Sequence, residues 1–531
     1  MSEKLILKEL CRYTRDTFAD IIYRNALLHA DDEAFVCGAQ RITFAQFNNR
    51  VNRLINGLCS LKVKKGDVLG ILSWNRLEFP DVYGAAMKGG FIASPFNPRL
   101  QIDELEYLIN YSEANTLFFD PAFVSIVDEL RSRISGVKNY IVFGDRVADM
   151  VSFSQLLADA PSHEPEVQVS KDDPFIIFYT SGTTGVPRGA LYTHVRKLNN
   201  TRIKALEMGA KPGDKNLMIL PFFHIGGDSH VWPFFIVGGC SVIIAQKSFE
   251  PEAVLQAIQN EQATDLQIVP TQLNALLSFQ DLKTYDLSSL RRIYYAASPM
   301  PIELLRRGLA VFGPIFSQGY GQSESGPQIC ALPRKAHQIL NTSSEAQKVL
   351  GSCGQPSLGV HVRVVDENGT DVGPGTVGEV IAQSDSIMEC YWRRPDETKE
   401  TIRAGWLHTG DMGFYDEKGF IYLVDRKKDM IVSGGENVYS REVEEVLYMH
   451  PAVGEVAVIG IPDPVWVERV HALIVRNPGA KATEEELIHF CKKRMAHFKA
   501  PKGVEFVDSL PKSPQGKILK KVIRQKYWQP K

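Results

Sequence analysis

Short apolar runs alternate with amphipathic stretches over the first half of the chain. The runs 68–72, 116–119 and 175–178 are too short for helices and are rich in β-branched, leucine and phenylalanine side chains, which predicts buried strands. Between such runs, apolar residues of 45–61 recur at helical spacing, which predicts an amphipathic helix. Strands buried between layers of helices are typical of an α/β fold.

The pattern changes in the last third of the chain. Turn sequences at 367–370, 373–375 and 416–419 contain Asn-Gly, Gly-Pro-Gly and Asp-Glu-Lys-Gly and separate β-rich runs, which predicts hairpins in a small β-subdomain. The charged segment 426–429 then predicts a connector. We therefore expect a hinge near Lys428, where a charged residue can stay in solvent while two domains move.

The residues after this connector predict a compact α+β unit. Ser440 is in a position to cap a helix, and Thr483 with Glu486 forms a capping box that predicts a helix over 486–495. The expected organisation is a large N-terminal domain, residues 1–425, built of layered α/β subdomains plus a small β-subdomain. A small mobile α+β C-terminal domain, residues 426–531, follows it.

Composition excludes several classes of protein. The 531 residues contain 60 Lys and Arg against 62 Asp and Glu, so the net charge of −2 does not favour a nucleic-acid partner. The longest apolar region, 231–245, is interrupted by Pro233 and two glycines and is shorter than the roughly 20 residues that span a bilayer. No transmembrane segment or secretory signal is predicted, and we expect a cytoplasmic protein. Weak membrane association and a homodimer remain open.

The strongest chemical signal is the segment 179–189, Tyr-Thr-Ser-Gly-Thr-Thr-Gly-Val-Pro-Arg-Gly. It follows the predicted strand 175–178 and precedes a helix expected near Thr193. Glycines and hydroxyls without an acidic residue give a loop of N–H and O–H donors suited to phosphate oxygens. The spacing differs from a Walker A loop. On local composition alone, an ordinary Gly/Ser/Thr turn is the alternative.

This loop closely resembles the signature of the adenylate-forming superfamily, which includes acyl-CoA synthetases, luciferases and peptide-synthetase adenylation domains. Arg188 stands where the family usually has Lys. Further motifs follow in the family's order, at 320–324, 405–411, 425–426 and 511–517, with Ser323 in place of the usual Thr. The resemblance covers most of the chain from about residue 20.

The resemblance implies a nucleotide site, with Lys517, Glu324 and His224 as catalytic residues. Lys517 would stabilise charge as the acyl-phosphate bond forms, and Glu324 with Thr184 would hold Mg²⁺. Asp411 would accept hydrogen bonds from the ribose hydroxyls. The ATP- and AMP-binding residues implied are Thr180, Ser181, Gly182, Thr183, Thr184, Arg188, Ser298, Tyr320, Gly321, Gln322, Ser323, Asp411 and Arg426.

The resemblance also implies an acyl pocket and a CoA site. We expect His224 to shape the carboxylate site rather than to act as a base, because a carboxylate needs no deprotonation at neutral pH. A satisfied core histidine is the alternative, as are plain core aromatics for Trp466 and Phe498. The acyl-pocket residues are Phe222, Phe223, His224, Trp232, Ala296, Ala297 and Gly319; the CoA-binding residues are Ser433, Gly434, Gly435, Glu436, Trp466, Phe498 and Lys502.

These residues predict an AMP-forming acid:CoA ligase that uses ATP, CoA and Mg²⁺. The pocket residues are aromatic and small and include no obvious cation, so an apolar monocarboxylic acid is expected. A fatty acid is favoured because 296–300 is similar to segments of fatty acyl-CoA ligases; an aryl or alicyclic acid is the alternative.

Other functions were weighed against this one. An adenylation-only ligase that loads a carrier protein, or a luciferase-like oxidase, stays open within the superfamily. A serine hydrolase is suggested by 321–325 and by 228–230, but neither segment has an identifiable triad. A catalytically silent nucleotide-binding protein or scaffold would have lost Lys517, Glu324 or Asp411, and all three are present.

Overall fold

The computed structural model describes residues 16–145, 147–180, 187–339, 348–426, 429–433, 436–464, 466–513 and 516–528. Their α-helices are α1 (Phe18–Leu28), α2 (Phe44–Ser60), α3 (Glu78–Gly89), α4 (Ile102–Ser112), α5 (Val124–Leu130), α6 (Phe153–Asp159), α7 (His194–Met208), α8 (Ile225–Phe235), α9 (Pro251–Glu261), α10 (Pro270–Leu277), α11 (Ile302–Phe312), α12 (Pro395–Thr401), α13 (Ser440–Tyr448), α14 (Glu484–Lys492) and α15 (Lys520–Gln525).

The described strands form four sheets. They are β1 (Glu33–Cys37), β2 (Gln40–Thr43), β3 (Val68–Leu72), β4 (Ile92–Phe96), β5 (Ala114–Phe119), β6 (Asn139–Val142), β7 (Val151–Ser152), β8 (Pro174–Thr180), β9 (Arg188–Thr193), β10 (Lys215–Met218), β11 (Cys240–Ile243), β12 (Asp265–Ile268), β13 (Arg292–Tyr295), β14 (Phe316–Gln322), β15 (Gly326–Leu332), β16 (Gln355–Pro356), β17 (His361–Val365), β18 (Gly378–Gln383), β19 (Cys390–Tyr391), β20 (Ile402–Arg403), β21 (Trp406–Tyr415), β22 (Ile421–Arg426), β23 (Ile431–Ser433), β24 (Glu436–Val438), β25 (Val453–Asp463), β26 (Val467–Arg476) and β27 (Gly503–Phe506).

Two large sheets form the N-terminal part. One has the strand order β16-β15-β14-β13-β12-β10-β11-β1-β2, and the other has β19-β9-β8-β4-β3-β5-β6-β7. Strands β10 to β14 pair in parallel in the first sheet, and β3 to β6 pair in parallel in the second. Helices cover such parallel strands on both faces, and β3 and β4 are accordingly buried along their whole length.

Local sequence explains the helices between these strands. Thr43 accepts a hydrogen bond from the backbone N–H of Gln46 (3.3 Å), and the Gln46 side chain accepts one from the Thr43 N–H (2.9 Å), so a capping box starts α2. The buried residues of α2 recur at helical spacing and pack on the neighbouring strands. The helix predicted over 45–61 is observed at Phe44–Ser60, one residue earlier at each end.

Two smaller sheets follow. Strands β17, β18, β20, β21 and β22 form the predicted β-subdomain, and β23 to β27 form a separate sheet covered by α13 and α14. No helix among the described residues is long and apolar enough to cross a membrane. The predicted fold class, a mixed α/β chain with a large N-terminal and a small C-terminal part, is confirmed.

Some local predictions differ from the structure. A strand, β9, precedes α7 and pairs antiparallel with β8. The segment 179–189 is therefore followed by a strand rather than directly by a helix. Ser440 does not cap α13, because Tyr439 precedes the helix and the Ser440 hydroxyl donates to Asp425 (2.8 Å). Helix α14 starts two residues earlier and ends three residues earlier than predicted.

Candidate active site

The parallel strands of the first sheet bring three predicted residues, His224, Ser298 and Tyr320, to one edge together with Thr271, which was not predicted. His224 follows β10, Thr271 follows β12, Ser298 follows β13, and Tyr320 lies near the end of β14. Strands β14, β13, β12 and β10 are consecutive neighbours, and their carboxyl ends meet at the same edge of the sheet. Ligands of open α/β sheets bind at this edge.

Asp411 is the centre of a buried polar cluster at this edge. Its Oδ2 accepts hydrogen bonds from the Tyr320 hydroxyl and from Gln322 Nε2, both at 2.7 Å, and its Oδ1 lies 3.1 Å from Arg426 Nε. Asp411 and Arg426 face each other across the antiparallel pair β21–β22. Four residues predicted for the nucleotide site are thus in direct contact, although they come from two sheets.

Glu324 lies in a second cluster. Its Oε1 accepts hydrogen bonds from the Tyr391 hydroxyl (2.8 Å) and from Thr180 Oγ1 (3.3 Å). The guanidinium of Arg188 lies 4.4 Å from the centre of the Tyr391 ring and pairs with Glu397 at 3.3 Å. Burial, then the Glu324 carboxylate, raises the pKa of Tyr391, so its hydroxyl stays protonated and remains a donor.

The segment with Lys517 is docked against this sheet edge. A Cβ on Gly516 would lie 2.5 Å from Thr271 Oγ1, so only glycine permits this close approach. The backbone N–H of Ser513 donates to the Lys517 carbonyl (2.7 Å), which holds the lysine in a tight turn. A cleft of about 530 Å³ opens beside it, lined by Arg99, Thr271 and Ser513 among others.

His224 lies close enough to Lys517 for the lysine charge to act on its imidazole. The Gly226 backbone N–H donates to His224 Nδ1 (3.0 Å), so the proton of the neutral imidazole is on Nε2. Desolvation, followed by the positive charge of Lys517, lowers the pKa of His224 to about 4. His224 is therefore neutral at pH 7, as expected for a residue that shapes the site rather than accepting a proton.

This contact predicts a coupled titration. Lys517→Ala removes a positive charge near the imidazole, which favours the protonated form, so we expect the pKa of His224 to rise from about 4. NMR of ¹³Cε1-labelled histidine measures this shift, and the His224→Gln variant identifies the signal. An unchanged midpoint in Lys517→Ala would show that the lysine is not beside His224 in solution.

The acyl-pocket candidates fall into two groups. Trp232 is fully buried, its Nε1 donates to Asp228 (2.7 Å), and its ring packs in an aromatic core with Phe35. Phe222 is also fully buried and stacks on Phe79. Both side chains are thus enclosed by core residues in this structure, and their assignment to the acyl pocket stays a prediction.

The other pocket candidates lie at the sheet edge. Ala296 is half-buried, and Ala297 is exposed with a φ of 71°, a backbone conformation that is rare for alanine. Position 319 requires glycine, because a Cβ there would lie 1.5 Å from the Tyr294 hydroxyl oxygen. Phe223 is buried beside His224, with 7% of its surface exposed.

The described CoA candidates gather at one side of the C-terminal sheet. Ser433 of β23 pairs with Val467 of β26, next to Trp466, and the Lys502 N–H donates to the carbonyl of Val470 (2.8 Å) on the same strand. Trp466 is 46% exposed and Phe498 39% exposed, so neither is a core aromatic. Glu436 is exposed and Ser433 is buried.

Some predicted residues lie outside the described part of the chain. These are Ser181, Gly182, Thr183 and Thr184 of the glycine-rich loop, Lys428 at the predicted hinge, and Gly434 and Gly435 of the predicted CoA loop. Within the residues that the structure does describe, no three His, Cys, Asp or Glu side chains cluster as a metal site.

The structure adds residues that the motifs did not identify. Tyr391 donates to Glu324, and the Tyr192 hydroxyl donates to the Ser323 carbonyl (2.6 Å) and accepts from the Gly326 N–H (2.6 Å). The one sequence signal for Tyr391 was an aromatic residue in a short β-rich run, which is far from Glu324 along the chain and therefore uninformative. Gln322, by contrast, was found by its motif and does contact Asp411.

Family models match most of the chain. A model described as AMP-binding enzyme matches residues 22–392, and one described as AMP-binding enzyme C-terminal domain matches residues 442–517. The second match includes Lys517, and the first includes the residues around Glu324.

Two of the similar proteins are acid–CoA ligases by name. The chain is 36% identical over 495 residues to a feruloyl-CoA synthase of an Amycolatopsis species, which covers 92% of this chain and 95% of that protein. It is 35% identical to the medium/long-chain-fatty-acid–CoA ligase FadD8 of Mycobacterium tuberculosis, which covers 94% of this chain and 88% of that protein.

Two solved structures of CoA ligases superpose on the chain. An anthranilate CoA ligase, AuaEII, in complex with anthranoyl-AMP superposes with a TM-score of 0.89 at 27% identity, and 98% of each chain is covered. The o-succinylbenzoate CoA synthetase MenE of Bacillus subtilis, in complex with its acyl-adenylate intermediate, superposes with a TM-score of 0.82 at 29% identity, covering 96% of this chain and 98% of that one.

Proposed function

Because the chain belongs to the AMP-binding enzyme family, we propose that it is an ATP-dependent carboxylic acid:CoA ligase that releases AMP and pyrophosphate. The observation that carries the proposal is the position of Lys517. The lysine comes from the C-terminal sheet region, yet its charge acts on His224 at the edge of the N-terminal sheet, where Asp411 and Tyr320 also lie. A cation at this position suits the joining of a carboxylate to a phosphate.

In the first half-reaction, the substrate carboxylate attacks the α-phosphorus of ATP and pyrophosphate leaves. Asp411 accepts hydrogen bonds from the ribose, and Tyr320, Gln322 and Arg426 hold its carboxylate in place. Lys517 stabilises the negative charge on the α-phosphate and on the attacking carboxylate. His224, neutral and with its proton on Nε2, provides a donor next to the same group.

Glu324 is the proposed ligand for Mg²⁺. Its Oε1 is occupied by Tyr391 and Thr180, while Oε2 accepts no hydrogen bond from the described residues, so one carboxylate oxygen is available to a hard cation. Bound Mg²⁺ would neutralise charge on the triphosphate. Arg188 lies beside this cluster, and we assign it to the phosphates as well.

In the second half-reaction, the CoA thiol attacks the carbonyl carbon of the acyl-adenylate and AMP leaves. We assign Ser433, Glu436, Trp466, Phe498 and Lys502 to CoA. Trp466 and Phe498 are exposed while Lys517 is docked, so a rotation about the connector that contains Lys428 would exchange the two faces of the C-terminal domain. The domain boundary between residues 425 and 426 stays a prediction, as does this rotation.

Steady-state turnover tests the proposal. Purified protein with Mg-ATP is given a panel of fatty, aryl and dicarboxylic acids, each with and without CoA, and released AMP is measured. We expect sustained AMP release only when an acid and CoA are both present. Release with an acid but without CoA, or release that CoA does not accelerate, would assign the acyl group to another acceptor, such as a carrier protein.

The serine-hydrolase alternative has no support in the geometry. The Ser229 hydroxyl donates to the Gly226 carbonyl (3.1 Å), and Asp228 pairs with Lys197 rather than with a histidine. Neither ring nitrogen of His230 has a hydrogen-bond partner among the described residues. A triad needs the base to contact both the nucleophile and the acid, and 228–230 makes neither contact.

A further inference from the structure

One face of helix α7 is polar and completely buried. Lys197, Asn200, Thr201 and Lys204 are spaced by three, one and three residues, which places them on the same side of the helix, and each is at most 1% exposed. Core-facing helix positions are normally apolar, because burying a polar group costs free energy unless it is paired. The mechanism proposed above uses none of these side chains.

Lys204 lacks a compensating negative charge in direct contact. Its Nζ donates to Gln267 Oε1 (2.7 Å) and to the Ser229 hydroxyl (3.2 Å), and it lies 4.5 Å from the centre of the Tyr294 ring. No carboxylate among the described residues accepts a hydrogen bond from it. Desolvation, followed by the charge of Lys197, lowers the pKa of Lys204, which shows how poorly the surroundings support its ammonium form.

The nearest carboxylate is already engaged. Asp228 pairs with Lys197 and accepts a hydrogen bond from Trp232 Nε1 (2.7 Å), and all three side chains are fully buried. Two lysines therefore face one aspartate, which leaves one positive charge uncompensated when both lysines are protonated. An unpaired charge in a protein interior is strongly unfavourable, and a ligand carboxylate would remove the imbalance.

Other charged groups near the cluster do not supply that charge. Arg292, which acts on His230, is itself positive and pairs with Asp214 and Asp265. Glu207 is exposed on α7 and acts on Tyr294 only through its charge. The positive potential of the cluster is therefore not cancelled by its neighbours.

Hydrogen bonds connect the cluster to the proposed reaction site. Gln267 accepts from Lys204 and donates through Nε2 to the Gly226 carbonyl (3.2 Å), while the Gly226 N–H donates to His224. Lys204 is thus separated from the histidine beside Lys517 by one glutamine and one glycine.

Further buried polar atoms beside Lys204 have no partners. Neither amide atom of Asn200 and neither ring nitrogen of His230 makes a hydrogen bond with a described residue, and both side chains are about 1% exposed. Buried polar groups in native proteins are normally satisfied, so exceptions indicate a missing ligand or water. Asn200 lies one helical turn before Lys204 on α7, and the charge of Lys204 acts on His230.

We propose that the Lys204 cluster binds a second carboxylate at the far end of the acyl substrate, so that the preferred substrate is a short dicarboxylic acid activated at one end. This inference rests on the ligase function proposed above. A dicarboxylic acid differs from the apolar fatty acid that the sequence favoured as the substrate. An alkyl tail would leave the Lys204 ammonium group without a counter-charge and the amide and imidazole atoms without hydrogen-bond partners.

Matched acids and a near-isosteric variant test the proposal. Acid-dependent ATP–pyrophosphate exchange is measured with the diacids from succinate to sebacate and the three benzenedicarboxylates, each against the monoacid and the ω- or ring-hydroxy acid of the same skeleton. We expect wild-type protein to prefer one diacid over its monoacid by about 100-fold in kcat/KM, as a buried charge pair provides. Lys204→Met should abolish this preference and leave the monoacid rate within about threefold.

Arg202→Met is the matched control, because it removes a positive charge from the half-exposed side of the same helix. It should retain the diacid preference. A wild-type preference for the monoacid or for the hydroxy acid, or an equal preference in wild type and Lys204→Met, would overturn the proposal while leaving the ligase function intact.

Thermal unfolding gives a readout that does not depend on activity. The preferred diacid should raise the Tm of wild-type protein and not that of Lys204→Met, whereas ligand-free Lys204→Met should unfold at or above the wild-type Tm because a buried charge is gone. If no acid drives exchange, the ligase function fails. A diacid-specific Tm shift abolished by Lys204→Met would still support the Lys204 site, and the absence of any such shift would overturn it.

Discussion

Lys517→Ala lowers acid-dependent ATP–pyrophosphate exchange by about 10²- to 10³-fold, the range for removing a group that stabilises charge in a transition state. The reason is geometric. Lys517 is held in a tight turn whose Gly516 packs on Thr271, and its charge acts on His224, so it lies where carboxylate and phosphate must meet. Transfer to CoA from chemically supplied acyl-adenylate should change by less than about tenfold, because that step does not form a bond to phosphorus.

The matched control is Lys521→Ala, which removes an exposed lysine from α15 close to Lys517 in the chain. It should leave both half-reactions unchanged. Equal losses of exchange and of transfer in Lys517→Ala would contradict the assignment of this lysine to the first half-reaction alone.

Asp411→Asn raises the KM for ATP by about 10²-fold, with a smaller effect on the KM for the acid. The carboxylate accepts from Tyr320 and Gln322 at 2.7 Å and faces Arg426 at 3.1 Å. The amide of Asn places an NH₂ group against these hydrogen-bond donors, and Arg426 loses its counter-charge. The side chain at position 411 is then no longer held in the orientation that accepts hydrogen bonds from the ribose.

Two comparisons separate nucleotide binding from stability in this prediction. Tyr320→Phe removes only one of the donors to Asp411 and should raise the KM for ATP by less than Asp411→Asn. Asp371→Asn, at an exposed aspartate of the β-subdomain, should leave the kinetics unchanged. If Asp411→Asn lowers the Tm but leaves the KM for ATP as in wild type, Asp411 is a structural residue and not a ribose ligand.

Much of the fold follows from local patterns. The strands Val68–Leu72 and Ala114–Phe119 lie at the predicted apolar runs 68–72 and 116–119, since a strand buried on both faces has a largely apolar sequence. The strand Arg188–Thr193 was missed. It follows the glycine-rich sequence 181–186, which contains no recognised hairpin turn sequence that would predict its antiparallel pairing with β8.

The candidate site, like the fold, was predicted only in part from the sequence. Motifs identified Asp411, Tyr320 and Glu324, which the structure places in two clusters, but they could not identify Tyr391, which meets Glu324 only through the tertiary fold. Trp232, which was predicted for the pocket from its position near His224 in the sequence, is fully buried and packs in an aromatic core. Whether an individual side chain is buried depends on tertiary packing, which the local sequence does not determine.

Lys204 illustrates a pattern that is present in the sequence but easily misread. Charged residues on a helix normally face solvent, so Lys197 and Lys204 were not considered for the pocket. Their spacing of seven residues places them on one face, and the intervening Asn200 and Thr201 lie on that face too. A helical stripe of polar residues can therefore face the interior when a ligand or an internal ion pair compensates it.

The most direct test of the central claim is to trap and chase the intermediate. Protein in excess is mixed with Mg-ATP and a reactive acid without CoA, the protein-bound products are analysed by mass spectrometry, and CoA is then added to a parallel sample. The account predicts that bound acyl-AMP accumulates to near the concentration of the protein and is converted to acyl-CoA and AMP when CoA is added. Failure to detect acyl-AMP, or acyl-AMP that persists after CoA is added, would contradict it.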